Sequence, residues 1–412
     1  VHVCFFNRSY WPDQAATGQL LTELGEDLVA RHGCAVTVVA GRALHAGQET
    51  ARASRWPVQR DERRGVTILR ANGTRFRPTR FAGRVSNYLS YFASATLAGF
   101  RVGRPDVVVS LTDPPIIGLA ALRTARRTGA RFVFLCEDIF PEVASLLEDF
   151  HNPMVNRALD RINRYLLREA DAVVALGDRM RARLVDEKGA DPARLHVIHN
   201  WADCQAIVPG AKDNAFARAH GLVDKFVLMH SGNVGLSQNL DVLVDAADRL
   251  RSRARLVILI VGEGARREAL EREAARRGLS NVRFLPYQPK DELHESFAAA
   301  DAFLVSLKPG IEGYIVPSKL YGILAAGRPY IAAVDPSSEA AAIAHDYECG
   351  VLAAPGDAAD LAAKIAALCD DPAATRVMGA NARRAALRFD RQVAVQSYFE
   401  LFARLAGVAR AA

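Results

Sequence analysis

Short β-branched runs alternate with helically spaced stretches along the whole chain. Residues 1–6, 35–40, 66–70, 107–111, 132–135, 172–175 and 195–198 read as strands, and residues 18–31, 117–128 and 154–169 as helices between them. A second series begins after residue 222. Its strands are expected at 226–231, 255–261, 282–285, 302–306, 329–333 and 350–353, and its helices at 239–251, 265–277, 290–299, 318–326 and 357–368. Strands that alternate with helices build parallel sheets, because each crossover helix returns the chain to the same sheet edge. The expected fold class is therefore α/β: two Rossmann-like domains with parallel sheets facing across a cleft. Residues 206–222 carry Pro209, Gly210 and little periodicity, and read as a linker. The predicted organisation is a first domain over 1–205, that linker, a second domain over 223–382, and a C-terminal amphipathic helix over 383–412 packing back toward the first domain. In such sheets ligands sit beyond the carboxyl ends of the strands, so the loops after strands carry most weight.

With 50% hydrophobic and 24% charged residues, the chain is neither disordered nor fibrous. Six cysteines show no CxxC pair and no metal-ligand spacing, and no metal site is expected. Residues 1–6 open directly into a strand without a signal-like region, and no run of about 18 apolar residues suggests a membrane span. A reduced, cytoplasmic setting is expected, with attachment to the inner face of the cytoplasmic membrane as a further expectation. The net charge of +7 is unevenly placed: residues 51–104 hold twelve Arg and two acids, a local +10, which leaves −3 for the remainder. Arginines between 52 and 80, with Trp56, Phe76 and Phe81, run into an aromatic stretch containing Tyr88, Tyr91 and Phe92. Such a tract suits an anionic bilayer surface, and it is also the usual footprint of nucleic-acid binding. The competing reading is that Tyr88, Tyr91 and Phe92 only pack a core.

Several strand-end loops could carry chemistry. His230-Ser231-Gly232-Asn233-Val234-Gly235 ends the second domain's first strand, where glycines let backbone N–H groups approach an anion; a tight turn with packing glycines is the alternative. In Glu312-Gly313-Tyr314-Ile315-Val316-Pro317-Ser318-Lys319-Leu320-Tyr321, Pro317 suits a first helical turn, placing Ser318 and Lys319 among free N–H groups. Lysine is scarce, seven against 46 arginines, so its presence there is informative. A solvated capping segment is the competing reading. Glu137 and Asp138 end an apolar strand, as carboxylates for hydroxyl binding or proton transfer would, or as helix caps. Thr112-Asp113-Pro114-Pro115 and the loop ending in Thr17-Gly18 take equivalent positions. His199 and His230 end strands and read as site or core-edge residues alike.

Together, "HSGNVGLSQNLDVLVDAADRL", "VILIVGEG", "NVRFLPYQPKDEL", "AADAFLVSLKPGIEGYIVPSKLYGILAAGRPYIA" and "CGVLAAPGDAADLAAKI" resemble the family-4 retaining glycosyltransferases of GT-B fold. In the first half, "FFNRSYWPDQAATGQLLTELGEDLVARHGCAVTVVAG", "DVVVSLTDPPIIGLAA", "CEDIFPE" and "VIHNWAD" are similar to that family's acceptor domain. The branch resembled builds bacterial surface polysaccharides on lipid carriers. The resemblance implies a nucleotide-diphosphate sugar as donor substrate and no other cofactor, a metal-independent transfer with retention, and a lipid-linked or glycan acceptor. Nucleic acid then ceases to be an expected partner, and the basic tract becomes a surface for anionic membrane or a lipid diphosphate. The resemblance places Gly232 and Asn233 on the diphosphate loop; Gly18, opening the first helix at the end of a cleft-facing loop, is a further candidate for binding the donor. It places Gly262, Leu285 and Pro286 at the nucleobase, Glu312 at the donor sugar, and Ser318, Lys319 and Leu320 beneath the phosphates. Glu137 and Asp138 would hold a sugar or acceptor hydroxyl.

The pattern departs from the family in three places. The loop's usual Arg and Lys are replaced by Asn233 and Gln238, the second glutamate of the pair by Gly322 or Leu320, and the His before Asp138 by Glu137. Lys319 is then the main cation for the leaving diphosphate, and Glu339 is the candidate for the ribose contact. Other readings are a glycosyltransferase of a soluble acceptor, a non-hydrolysing epimerase on the same scaffold, and a non-catalytic partner subunit.

Overall fold

The computed structural model describes all residues except 14, 43–56, 75, 77–80, 148–151, 290–291 and 409–412. Arg52, Arg55, Trp56, Arg75, Arg77 and Arg80 of the basic tract lie outside the described residues. The chain divides into two compact units, Val1–His199 with Ala394–Ala412, and Asn200–Val393.

The first unit is built on eight strands: β1 (His2–Phe6), β2 (Ala35–Ala40), β3 (Val58–Arg63), β4 (Val66–Ala71), β5 (Val107–Ser110), β6 (Arg131–Cys136), β7 (Ala172–Ala175) and β8 (Leu195–Val197). They are ordered β3-β4-β2-β1-β5-β6-β7-β8, and every pairing is parallel except β3 with β4. The central strands are apolar along their length because helices cover both faces, and Val3–Phe6 and Val107–Val109 are fully buried. Gly33 (φ 61°) ends the helix Ala16–His32, and Asn152 caps Pro153–Glu169 by accepting from the Met154 and Val155 amides.

β3 is an addition to the expected elements. Its sequence, Val-Gln-Arg-Asp-Glu-Arg, has no apolar run, as befits an edge strand whose charges discourage further pairing. Arg64 and Gly65, at φ 46° and 79°, turn the chain tightly into β4. Much of the described basic surplus is engaged here: Arg63 and Arg64 both pair with Glu26, and buried Arg70 donates to the Trp11 and Gly41 carbonyls. Tyr91 is likewise a core residue, its hydroxyl donating to the Val39 carbonyl.

The second unit has six parallel strands, β9 (Phe226–Ser231), β10 (Leu256–Val261), β11 (Val282–Leu285), β12 (Ala302–Ser306), β13 (Tyr330–Ala333) and β14 (Gly350–Ala353), ordered β11-β10-β9-β12-β13-β14. Each sheet reverses its strand order once, at β1/β5 and at β9/β12.

Residues 206–222, expected as a linker, are packed into the second unit. Asn214 donates to the Glu295 carbonyl, Lys212 pairs with Asp301, and Arg328 holds the Gly210 carbonyl at 2.8 Å. Besides a short helix, Ala215–Ala219, capped by Asn214, polar side chains meeting distant partners fix this segment, and neither leaves a long periodic pattern in the sequence. The expected helix over 383–412 is also divided. Arg383 and Arg384 lie in the last turn of Pro372–Ala386, a short turn spans Leu387–Phe389, and a new helix covers Arg391–Leu405. In the first unit, Phe402 of that helix meets Phe5 edge-on, and Phe399 stacks on His32 at 4.1 Å. Near the chain's two passages between units, segments 202–204 and 389–391 are joined: Ala202 N–H donates to the Phe389 carbonyl, and Arg391 N–H to the Ala202 carbonyl.

Candidate active site

In the second unit, the residues at the switch between β9 and β12 converge. His230 lies in the last turn of the pleat of β9 and is wholly buried. Its Nε2 is 3.2 Å from Lys319 Nζ and 3.3 Å from the Asn233 carbonyl oxygen. Lys319 opens the helix Lys319–Ala325, and its side chain runs along Gly232: a Cβ at Gly232 would stand 3.3 Å from Lys319 Cε and 3.4 Å from Nζ. Among the described residues, no carboxylate pairs with Lys319. Burial lowers its pKa to about 7, because a desolvated ammonium without a counter-charge favours the neutral amine. Burial and the neighbouring Lys319 also hold His230 well below the usual imidazole range.

The glycine loop is more heavily engaged than its sequence suggests. Gly232 N–H donates to the Val261 carbonyl, Val234 N–H to the Glu263 carbonyl, and Gly235 N–H to Gln238 Oε1. Only Asn233 leaves its amide without an acceptor among the described residues. The expectation that Gly232 offers its N–H to a diphosphate is therefore corrected; it joins the ends of β9 and β10. Gln238, at the position where the family resemblance implied a cation, is a staple of the loop. Gly262 has φ 142°, and a Cβ there would fall 1.9 Å from the Gly232 carbonyl oxygen, so neither loop tolerates a side chain at the crossing.

Arg267 secures the next strand end by donating to the Gly262 carbonyl at 2.6 Å and to the Leu285 carbonyl at 2.9 Å. Leu285 O also accepts from Gly262 N, so both its lone pairs are engaged, whereas Pro286 O accepts from Gln288 Nε2 and keeps a second lone pair. Tyr287 was not singled out in the sequence, yet it is 44% exposed and brings Cε1 within 3.4 Å of the Gly262 Cβ position. An exposed ring beside a glycine is a platform suited to a planar base.

The remaining second-unit candidates divide. Glu312 lies in the loop after β12, bridged locally to Ile315, with Gly313 at φ 77° turning the chain beside it. Ser318 makes no capping hydrogen bond with its side chain. Leu320 is fully buried and its N–H donates to the Pro317 carbonyl, so it is a core residue. Gly322, in the frame of the missing acid, faces Phe297 at 3.2 Å from its Cβ position. Glu339 begins the helix Glu339–Asp346 after β13, three strands from β10, a separation of about 14 Å at ordinary strand spacing. The sheet does not bring it beside Gly262 and Leu285.

In the first unit, a second set gathers at the ends of β1, β5 and β6. Arg8 and Ser9 both donate to Asp113, and the Arg8 guanidinium lies 4.9 Å over the Tyr88 ring. Asp138 N–H donates to Thr112 Oγ1 at 3.3 Å. Burial and Asp138 raise Glu137 to about 8; burial and Asp113 raise Asp138 to about 7. The pair thus retains protons near neutrality and can both donate to and accept from a hydroxyl. Gly18 lies inside the first helix, its Cβ position 3.3 Å from the Ser9 and Tyr10 backbone, so it permits the helix to touch the loop after β1. Among the described residues, no cluster of three or more His, Cys, Asp or Glu is arranged to hold a metal ion.

Residues 212–385 match the family model "Glycosyl transferases group 1", and residues 17–201 match "Glycosyl transferase 4-like domain". The chain belongs to the GT-B glycosyltransferases. This glycosyltransferase is 29% identical over 274 residues to WbjE of Pseudomonas aeruginosa, named as a glycosyltransferase; the match covers 66% of the chain and 68% of WbjE. It is 30% identical over 232 residues to WcaI of Escherichia coli, named for colanic acid biosynthesis, covering 54% of the chain and 56% of WcaI. The alignments thus span about half to two thirds of these relatives. The fold is shared with HepE of Anabaena, whose crystal structure holds UDP-glucose: TM-score 0.74, 16% identity, covering 98% of this chain and 99% of that one.

Proposed function

We propose that this glycosyltransferase moves a sugar, with retention, from a nucleoside-diphosphate sugar to a hydroxyl of a lipid-linked acceptor in polysaccharide or glycolipid assembly. The observation that carries the reading is Lys319: an amine with no carboxylate partner among the described residues, held along Gly232 at the strand-order switch. Negative charge grows on the nucleoside diphosphate as the sugar–oxygen bond breaks. A fixed cation there stabilises that charge more than it stabilises the intact donor, which is what lowers a barrier. Lys319 and the Asn233 amide serve the leaving diphosphate, Ser318 adds a hydroxyl, and Glu312 orients the donor sugar. Tyr287 and Gly262 take the base. Glu137 and Asp138 hold a hydroxyl of the sugar or acceptor. Because the cation is a side chain, no metal is needed for this charge, and turnover is expected to persist in EDTA. Glu339 is left out of the donor contacts on the strength of its strand position.

The lipid-linked acceptor is supported by the helix Phe81–Gly99. Its exposed positions Ala82, Leu89, Ala93 and Leu97 are all apolar, and the last three recur every four residues on one stripe. The stripe continues to Phe100, 52% exposed, beneath the Arg123 and Arg127 guanidiniums at 5.6 and 5.5 Å. The name of WcaI, which gives colanic acid biosynthesis, supports the wider reading of polysaccharide assembly.

The test begins with a thermal-shift screen over nucleotide sugars, in which a donor at about 100 times its Kd adds about 2.7 kcal/mol. With that donor, Lys319→Ala is expected to lower kcat/KM by about 2 kcal/mol or more, the scale of one lost charge-stabilising contact. Near-normal turnover would remove Lys319 from its assigned role.

A further inference from the structure

His230 takes no direct part in the scheme above, yet its placement is unusual. A lysine side chain has several rotatable bonds, and fixing it forfeits that rotamer freedom. An amine already set in place before the anion arrives avoids most of that loss at the moment of binding. Lys319 is set in place from two sides. Gly232 lets the side chain lie along its backbone at 3.3–3.4 Å from the Cβ position, and the His230 ring meets Nζ at 3.2 Å. The ring itself cannot move far, being wholly buried in β9.

The hydrogen-bonding inventory of the ring gives this contact direction. A neutral imidazole has one N–H and one lone pair. Nε2 reaches both Lys319 Nζ and the Asn233 carbonyl, whereas Nδ1 is buried without a hydrogen-bond partner among the described residues. With the proton on Nε2, the ring donates to Asn233 and ties the glycine loop to the strand. With the proton on Nδ1, Nε2 accepts from the Lys319 ammonium. The ring holds one proton in either arrangement, and no heavy atom has to move between them.

Resting on Lys319 as the phosphate anchor, we propose that His230 is its positioning residue, aiming the lysine nitrogen across Gly232 at the leaving diphosphate. The residue acts through Lys319 and touches no substrate.

A double-mutant cycle with inorganic pyrophosphate as the probe separates this role from general packing. Affinity is measured by calorimetry for the wild-type chain, His230→Phe, Lys319→Ala and the double variant. His230→Phe is expected to weaken binding about tenfold in the wild-type background, as for a lost hydrogen bond to a charged group, and to change little once Lys319 is gone. His230→Gln, which retains an amide able to meet Nζ, should recover part of the loss. Equal weakening in both backgrounds would overturn the proposal and make His230 a packing residue. Unchanged binding by Lys319→Ala would instead overturn the anchor reading beneath it. Should His230→Phe not fold, the imidazole nitrogen resonances of the wild-type chain decide: pyrophosphate should shift Nε2, and an unmoved Nε2 resonance counts against the coupling.

Discussion

At the scale of single residues, the candidate site works against the stability of the folded chain. Lys319 has its pKa lowered by burial to about 7, below the 10.5 of an exposed lysine. Below about pH 7 the folded chain carries the whole penalty of an ammonium without a counter-charge. Between there and about 10.4 the unfolded chain binds more protons, so the penalty fades as pH rises. Lys319→Met should therefore raise Tm most at pH 6 and progressively less toward pH 10. Glu137 runs in the opposite sense. Its raised value of about 8 means that the folded chain binds the extra proton, so its contribution worsens from about pH 4 up to pH 8. Glu137→Gln should stabilise at pH 8 and not at pH 4. Thermal melts of both variants across pH check the two slopes, and matching slopes would contradict these assignments.

At the scale of elements, the crossing of the loops after β9 and β10 holds the candidate site together. Gly262→Ala forces a methyl against the Gly232 carbonyl, and is expected to lower Tm and abolish pyrophosphate binding. Gly33→Ala is the control: its φ is also positive, at 61°, but a Cβ there meets nothing within 4 Å. It should cost about 1 kcal/mol and leave binding intact. Calorimetry on both variants distinguishes a close approach from simple backbone strain. This contrast also shows what the sequence could reveal. The alternation of apolar runs with helical spacing located thirteen of the fourteen strands among the described residues, since a buried parallel strand is largely apolar. β3 escaped because an edge strand keeps its charges. Lys319 and the glycine loop were legible as motifs, but which loop N–H groups were already engaged was not, because those bonds join loops some thirty residues apart. The contact of His230 with Lys319 was hidden for the same reason: 89 residues separate them. Polar segments such as 206–222 read as linkers whenever their partners are distant carbonyls.

At the scale of the whole molecule, the +7 net charge resolves into arginines tied inside the fold and arginines left beside an apolar stripe. Glu26 engages Arg63 and Arg64, whereas Arg123 and Arg127 flank exposed Phe100. No described helix is long and apolar enough to cross a membrane. The proposed contact with lipid is assigned to this surface. Binding to vesicles containing anionic lipid should be measurable by co-sedimentation and weaken with salt, at about 1 kcal/mol for each cation near the surface. Replacing Leu89 and Leu97 with Ser should reduce it, and salt-independent or absent binding would favour a soluble acceptor. The division of the chain has a separate consequence. Because Ala394–Ala412 groups with Val1–His199, the second unit is a single uninterrupted insert, and the hydrogen bonds between segments 202–204 and 389–391 travel with it. On the proposed assignment of the donor to that unit, a chimera made with only two breakpoints should take its donor preference from the inserted segment.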